Sequence, residues 1–438
     1  MLTIVALGLP ILVSELGHIA TGFADNIMVG HYSTQAIASA SMVNNVFNIP
    51  YLACIGFAFG ITPLVGMRFA QKNGKAVGSL LRNGVIVNLI FAAVISAIML
   101  GVYAFIDQMG QPDELIPLIK PYFIINLLGI IPVAVFNVFA QWSYGVKQTR
   151  LPMWITLASN IVNVTGNYIL IFGKFGAPEM GLAGAGISTL ISRVMLPLVA
   201  LFALLRLRHY RQFVADVRQS AVSAKSIGKI ARTSGPVSFQ MSIESACFSV
   251  AAIMMGWLGT IPLAAYQIMT MVSLLGFCVY YSIASSGAIL VANAAGRSDR
   301  QEMRRVALAT YNVVLIIAAM ASLIFFFFGE SLIHAFTNDT ALIAYSITLI
   351  PPLLLYQLGD ATQITFASCL RGTSNVMPML WTSLISYIIV GLPTTYIMAF
   401  PMGWGGQGVV YSFSVSLFLA AALYLFFFLR TTKMRNQS

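Results

Sequence analysis

Four carboxylic acids lie within long apolar segments of the chain, where a charged side chain is costly: Glu15, Asp25, Glu244 and Asp360. A carboxylate at the centre of a membrane-length helix costs roughly 2.5–3.5 kcal/mol on insertion scales. An acid kept in such low dielectric can be neutral, or can exchange its proton near neutral pH. These acids therefore suit a site that binds a proton, a sodium ion or an organic cation in turn. A protonated acid that joins two helices by a hydrogen bond is the structural alternative.

Other polar side chains in these segments have the spacing of a helix face. Tyr356 lies four residues before Asp360 and Gln363 lies three residues after it, so a helix places all three on one stripe. Asn163 and Asn167 are likewise four residues apart in another apolar segment. Such polar stripes predict either a binding site or hydrogen bonds between neighbouring helices.

The composition defines the class of protein that must position these side chains. The chain has 438 residues, of which 58% are hydrophobic and 8% are charged. Soluble globular domains contain far more charged residues, about 25%. Nearly every window of about 20 residues is apolar, and about 20 residues span a bilayer as a helix. We therefore predict an all-α polytopic membrane protein with twelve transmembrane helices.

Basic residues are distributed unevenly among the predicted loops. Of the 24 Lys and Arg, 21 fall on one side of the predicted membrane, whereas Lys120 and Lys174 lie on the other side and Arg193 falls inside the sixth span. The positive-inside rule then predicts that both termini are cytoplasmic. The net charge of +11 is explained by this topology and by attraction to anionic lipid, so we expect no nucleic-acid partner.

The chain also contains an internal repeat. IMVG at 27–30 recurs as IMMG at 253–256, and MGLAGAG at 180–186 recurs as MGWGGQG at 402–408, at offsets of 226 and 222 residues. Such a parallel repeat predicts two pseudo-symmetric six-helix bundles around a central cavity. The predicted parts are an N-terminal bundle (1–206), a cytoplasmic linker loop (207–232) and a C-terminal bundle with a short basic cytoplasmic tail (233–438).

The repeat aligns polar residues in the first helix of each bundle. With the offset of 226, His18 is equivalent to Glu244 and Pro10 is equivalent to Pro236. A proline within a helix frees a backbone carbonyl and allows a kink. Asp25 lies seven residues after His18 and shares its helix face. Each bundle is therefore expected to begin with a proline-bearing helix that carries an ionisable group two turns later.

Sequence patterns of enzymes and of ATP-driven pumps do not occur in the chain. It contains no HExxH motif and no GxxxxGK[ST] phosphate loop. The G-x-G-D pattern of intramembrane aspartyl proteases is not met at Asp360, and residues 284–287 read ASSG where a rhomboid-like protease needs G-x-S-G. We therefore expect no catalytic residue and no cofactor other than a coupling ion. Any transport would be driven by ion gradients or by a separate subunit.

Four motifs give the chain a resemblance to a known family. They are GFADNIMVG (22–30), GNYILIFGKFGAPEMGLAGAGIST (166–189), SFQMSIESACFS (238–249) and YQLGDATQITFASCLRG (356–372). Over nearly its whole length the chain resembles MATE (multidrug and toxic compound extrusion) transporters, the NorM-type branch most closely. The resemblance implies two six-helix bundles around a V-shaped cavity. It also implies export of cationic or amphipathic organic compounds from the bacterial inner membrane, in exchange for inward Na⁺ or H⁺. We expect a monomer whose partners are small organic cations and membrane lipids.

The resemblance also implies roles for individual residues. Glu244, Asp360 and Tyr356 match the cation and coupling site of the C-terminal bundle in NorM-type members, where Na⁺ would bind. Family members usually carry a small or neutral residue at the position of Glu15 and often Gln at that of His18, which leaves the choice between H⁺ and Na⁺ open. The candidate coupling and substrate site is Glu244, Asp360, Tyr356, Gln363 and Asp25, and the candidate N-terminal polar network is Asn163, Asn167, Thr189, His18 and Glu15.

Two other functions remain compatible with the sequence. One is a flippase of lipid-linked saccharides from the related superfamily, although such proteins usually have more cations in the cavity for pyrophosphate. The other is a passive channel, although two halves with proline-bearing first helices favour alternating access.

Overall fold

The computed structural model describes residues 1–433, and for Arg208 and His209 it describes the backbone only. Eleven helices in this range are long and apolar enough to cross a membrane, and a twelfth span results if the bent pair Thr340–Thr348 and Ile350–Gly372 is counted as one. The prediction of an all-α polytopic membrane protein is thus confirmed. The predicted basic tail lies partly outside the described residues, since Arg435 follows residue 433.

The chain forms two compact units whose boundaries lie within the first helix of each half. The N-terminal unit is Val13–Ser238, and the C-terminal unit combines Met1–Leu12 with the chain from Phe239 onward. Each boundary falls two residues after a proline, Pro10 or Pro236. The observed units therefore differ from the predicted ones, because the first residues of each half are exchanged between the two cores.

Ten helices contribute to the N-terminal unit, and two of its spans are broken at a glycine. The helices are α1 (Leu2–Tyr32, from Val13), α2 (Thr34–Phe59), α3 (Ile61–Ala70), α4 (Gly74–Ala104), α5 (Ile116–Leu128), α6 (Ile130–Gly145), α7 (Arg150–Phe172), α8 (Gly181–Arg206), α9 (Arg208–Gln219) and α10 (Ala224–Leu258, up to Ser238). α2 and α3 meet at Gly60, and α5 and α6 meet at Gly129. A Cβ on Gly60 would lie 2.4 Å from Ser234 Oγ, so glycine is required for the close approach of α10.

The predicted linker loop 207–232 is largely helical, so this part of the prediction is wrong. α9 covers most of it, and α10 already begins at Ala224. Tyr210 and Phe213 are buried, with their rings 6.0 Å and 5.3 Å from that of Trp142. The high charge of the segment is typical of a loop, but these aromatic residues recur at helical spacing and dock one face of α9.

The C-terminal unit contains the counterpart helices and one π-helical segment. Besides α1 up to Leu12 and α10 from Phe239, these are α11 (Thr260–Gly296), α12 (Arg300–His334), α13 (Thr340–Thr348), α14 (Ile350–Gly372), α15 (Met377–Ser383), the π-helical segment (Leu384–Gly391), α16 (Leu392–Ala399) and α17 (Gly405–Thr431). α13 and α14 are bent by 48° at Leu349. This break is the repeat counterpart of the break at Gly129, so the fourth span of each half has the same interruption.

Candidate functional site

Glu244 on α10 and Asp360 on α14 lie close together in the C-terminal unit. Their carboxyl groups are near enough to interact electrostatically. Asp360 is only 3% exposed, and Glu244 is half-buried. Within residues 1–433, neither acid forms an ion pair with a Lys or Arg. The two acids therefore lack a built-in counter-charge, and a proton or another cation can supply it.

The two carboxylates differ in how firmly they are held. Glu244 Oε2 accepts a hydrogen bond of 2.8 Å from Gln240 Nε2, and Glu244 Oε1 accepts one of 3.0 Å from the Tyr387 hydroxyl. In the described part of the chain no group donates a hydrogen bond to the Asp360 side chain. Glu244 is therefore fixed in orientation, whereas the Asp360 carboxylate is free to bind a ligand.

Two tyrosines lie near the acid pair, and further aromatic rings pack against one of them. The hydroxyls of Tyr356 and Tyr387 lie within Coulombic range of both carboxylates. Phe248 and Phe413 pack edge-on against the Tyr356 ring, with centroids 6.4 Å and 6.3 Å away. Aromatic faces attract organic cations. Two acids without an ion-pair partner, close to aromatic rings, thus form a site with the chemistry to bind a cation, whether a small ion or an organic molecule.

Among the described residues, two further members of the predicted site form no hydrogen bond with the acid pair. Gln363 is buried on α14, 2% exposed, but among the described residues it is not hydrogen-bonded to either acid. Asp25 belongs to the N-terminal unit, where Asn167 Nδ2 donates a hydrogen bond of 2.5 Å to Asp25 Oδ1. The structure therefore groups Asp25 with the N-terminal polar network, because it lies near the end of α1 and faces α7.

Tyr387 is a site residue that the sequence reasoning missed. It lies in the π-helical segment Leu384–Gly391, where the Leu392 N–H donates to the Tyr387 carbonyl oxygen, five residues earlier. π-bulges are frequent at functional sites. Pro393 follows directly and has no N–H to continue the α-helical pattern. A proline in mid-span was thus the signal that could have pointed to this turn and to Tyr387.

The variant Tyr387→Phe is expected to weaken binding of an organic monocation such as ethidium by about threefold to tenfold, because Glu244 loses a charge-assisted hydrogen bond that fixes its orientation. Fluorescence titration of the purified protein measures this affinity. Tyr345→Phe is the matched control, since it also removes one hydroxyl contact, the one to the Gly406 N–H. Equal affinities for wild type and Tyr387→Phe would show that this hydroxyl does not position the acid.

The N-terminal unit contains a cavity of about 410 Å³ that is lined by both polar and apolar side chains. Glu15, His18 and Asp25 of α1 line it, together with Asn163 of α7 and Thr189 of α8. The α1 residues are three and seven positions apart, so one helix face directs them into the same space. Five of the six residues of the N-terminal network, Asp25 included, thus line one cavity, and the sixth, Asn167, binds Asp25.

Hydrogen bonds hold part of this network and leave other atoms unused. Asn163 Nδ2 donates a hydrogen bond of 3.0 Å to Thr189 Oγ1, and Ser188 Oγ donates one of 2.7 Å to the Asn163 backbone carbonyl oxygen. The buried Oδ1 atoms of Asn163 and Asn167 accept no hydrogen bond within the described residues. Buried polar atoms without partners are rare in proteins. The network therefore offers free acceptor oxygens beside the Asp25 carboxylate.

Arg193 on α8 lines the same cavity, and the sequence reasoning assigned it no role. Its guanidinium lies over the Tyr51 ring, 4.6 Å from the centroid, and donates to the Tyr51 hydroxyl and, at 3.2 Å, to Asn126 Oδ1. A Cβ on Gly129 would lie 2.7 Å from Arg193 Nη1, so the glycine at the α5–α6 break leaves room for this side chain. The N-terminal cavity thus contains a fixed positive charge.

Comparisons with known proteins agree with the repeat and with the fold. The MatE family model matches residues 10–169 and again 236–397, two ranges that begin 226 residues apart. Several relatives carry the name "Probable multidrug resistance protein NorM", and two of them illustrate the similarity. The one from Photorhabdus laumondii is 26% identical over 419 residues, covering 94% of this chain and 92% of that protein. The one from Bradyrhizobium diazoefficiens is 28% identical over 430 residues, covering 95% and 90%.

Solved structures show the same fold at low sequence identity. An outward-facing multidrug resistance MATE family transporter of the MOP superfamily matches with a TM-score of 0.88 and 19% identity, over 99% of this chain and 96% of that chain. A MOP superfamily transporter from Pyrococcus furiosus, described as having a binding pocket of reverse polarity, matches with a TM-score of 0.85 and 18% identity, over 99% and 96%.

Proposed function

Because the chain belongs to the MatE family of membrane transporters, we propose that it is a secondary active antiporter. It exports cationic or amphipathic organic compounds, including drugs and toxins, in exchange for inward H⁺ or Na⁺. The names of the relatives, which describe multidrug resistance proteins, support this substrate class. The protein works in a bacterial inner membrane as a monomer, with both termini in the cytoplasm, and its only cofactor is the coupling ion.

One observation carries the proposal: Glu244 and Asp360 form a pair of acids that has no ion-pair partner and lies close to aromatic rings. Open to the outside, Glu244 and Asp360 bind the coupling ion and are neutralised. Open to the inside, they release the ion and bind an organic cation, which Tyr356 and its aromatic neighbours contact. The two states differ in the ligand that satisfies the same carboxylates, which is the minimum that coupling requires.

The energy available depends on how many ions enter per exported cation. Exchange of one H⁺ for one monovalent cation is electroneutral and yields about 1.4 kcal/mol per pH unit. A second inward ion adds the membrane potential, about 2.3 kcal/mol per 100 mV. Two neighbouring acids in the C-terminal unit provide enough carboxylates for either stoichiometry.

Uptake of ethidium into everted membrane vesicles tests the proposal. A proton gradient (acid lumen) and a sodium gradient (high lumenal Na⁺) are imposed separately, in the absence of ATP. We expect one of the two gradients to drive uptake, and an ionophore that dissipates it to release the dye. Vesicles without the protein provide the background. Uptake that requires ATP, or that proceeds equally without either gradient, would contradict the antiport proposal.

A further inference from the structure

Arg193 is a cation inside a membrane-spanning helix, and within the described part of the chain it forms no ion pair. Its hydrogen-bond acceptors, Tyr51 and Asn126, are neutral. Ionisable residues at such positions are rare, and when present they are usually functional. The proposed mechanism in the C-terminal unit does not use this charge, so it needs a separate explanation.

Apart from Arg193, the cavity has the ligands of a hard-cation site. The Asp25 carboxylate, the free Oδ1 atom of Asn163 and the Thr189 hydroxyl line it, and Asn167 holds Asp25 by a hydrogen bond. Oxygen atoms of these kinds suit a hard cation such as Na⁺. Judged by these oxygens alone, the N-terminal unit would bind Na⁺.

The guanidinium changes this expectation through its charge. Arg193 lines the same cavity as Asp25 and lies within Coulombic range of both Asp25 and His18. A unit charge in a cavity with low-dielectric walls is weakly screened and opposes the entry of a second cation. The stack on Tyr51 and the gap at Gly129 hold the guanidinium at this place.

We propose that Arg193 is the built-in cation of the N-terminal cavity and that it prevents the oxygens around Asp25 from binding Na⁺. Any exchangeable Na⁺ is then confined to Glu244 and Asp360. Only this last point rests on the proposed function, because the effect of Arg193 on the N-terminal cavity can be measured without transport. Arg193 thereby determines which half of the protein exchanges ions.

Equilibrium binding of ²²Na⁺ to the purified full chain tests the proposal. The background is the variant Glu244→Gln with Asp360→Asn, which removes the C-terminal acids. We expect no detectable Na⁺ binding in this background, and detectable binding once Arg193→Gln is added, because the affinity of the cavity rises by at least about tenfold. Further addition of Asp25→Asn should abolish the new site. Arg193→Lys, which keeps the charge, should not create it.

Two results would overturn the proposal. One is Na⁺ binding in the background with Arg193 intact, if Asp25→Asn abolishes it. The other is the absence of a new site in both Arg193→Gln and Arg193→Met, when melting curves show that at least one of these proteins is folded. Transport plays no part in this assay, so failure of the vesicle experiment would count against the antiport function and leave this result unaffected.

Discussion

Asp360→Asn is expected to reduce ethidium export by at least about tenfold. The amide has the shape of the carboxylate but cannot carry its charge, so the site loses the group that alternates between coupling ion and organic cation. Asp360 is only 3% exposed and lies beside Glu244. Dye efflux from cells and vesicles that contain equal amounts of each protein measures the effect.

Asp339→Asn is the matched control for this experiment. Asp339 is an acid of the same unit that caps α13 by accepting hydrogen bonds from the N–H groups of Ala341 and Leu342. Asparagine caps helices equally well, so this variant should export normally. Glu244→Gln should resemble Asp360→Asn, and the double variant should be hardly worse than either, because both acids act on one cation. Export by Asp360→Asn at more than half the wild-type rate would disprove its role.

Gly408→Ala is expected to destabilise the protein strongly for the addition of a single methyl group. A Cβ at this position in α17 would lie 2.6 Å from the carbonyl carbon and oxygen of Met398 in α16. These are backbone atoms, so the helices must move apart, and overpacking of this kind costs about 1–3 kcal/mol. The melting temperature of the purified protein should therefore fall by several degrees.

Gly256→Ala is the control for the loss of stability. Its Cβ would meet only Leu263 Cδ2, at 3.8 Å, which is an ordinary contact with a flexible side chain. Alanine also favours the helix by about 1 kcal/mol relative to glycine. We therefore expect unchanged or slightly higher stability for Gly256→Ala. Equal melting temperatures for Gly408→Ala and wild type would show that α16 and α17 are not in close contact.

The sequence predicts those features that depend on spacing along one helix. The face of α1 with His18 and Asp25 follows from seven-residue spacing, and both residues line one cavity. Hydrophobic length predicts the spans, and the helical spacing of Tyr356 and Asp360 predicts that both lie on one face of α14. The offset of 226 residues predicts the repeat, which the two matches of the MatE family model confirm.

Features that depend on contacts between helices could not be obtained in this way. Tyr387 meets Glu244 across two helices, and only the π-helical turn before Pro393 brings the hydroxyl to within 3.0 Å. The role of Arg193 depends on a gap at Gly129, which no spacing rule reveals. The assignment of residues Met1–Leu12 to the C-terminal unit is likewise a packing effect, because it depends on contacts with helices far along the chain.

The central claim is that the organic cation and the coupling ion use the same two carboxylates, Glu244 and Asp360. Competition binding to the purified protein tests it most directly, with the ethidium affinity measured at increasing Na⁺ concentration and, separately, at decreasing pH. We predict that one of these ions weakens ethidium binding, that ethidium weakens binding of this ion by the same factor, and that Glu244→Gln with Asp360→Asn abolishes both effects. An ethidium affinity in wild type that is independent of both ions would contradict the account.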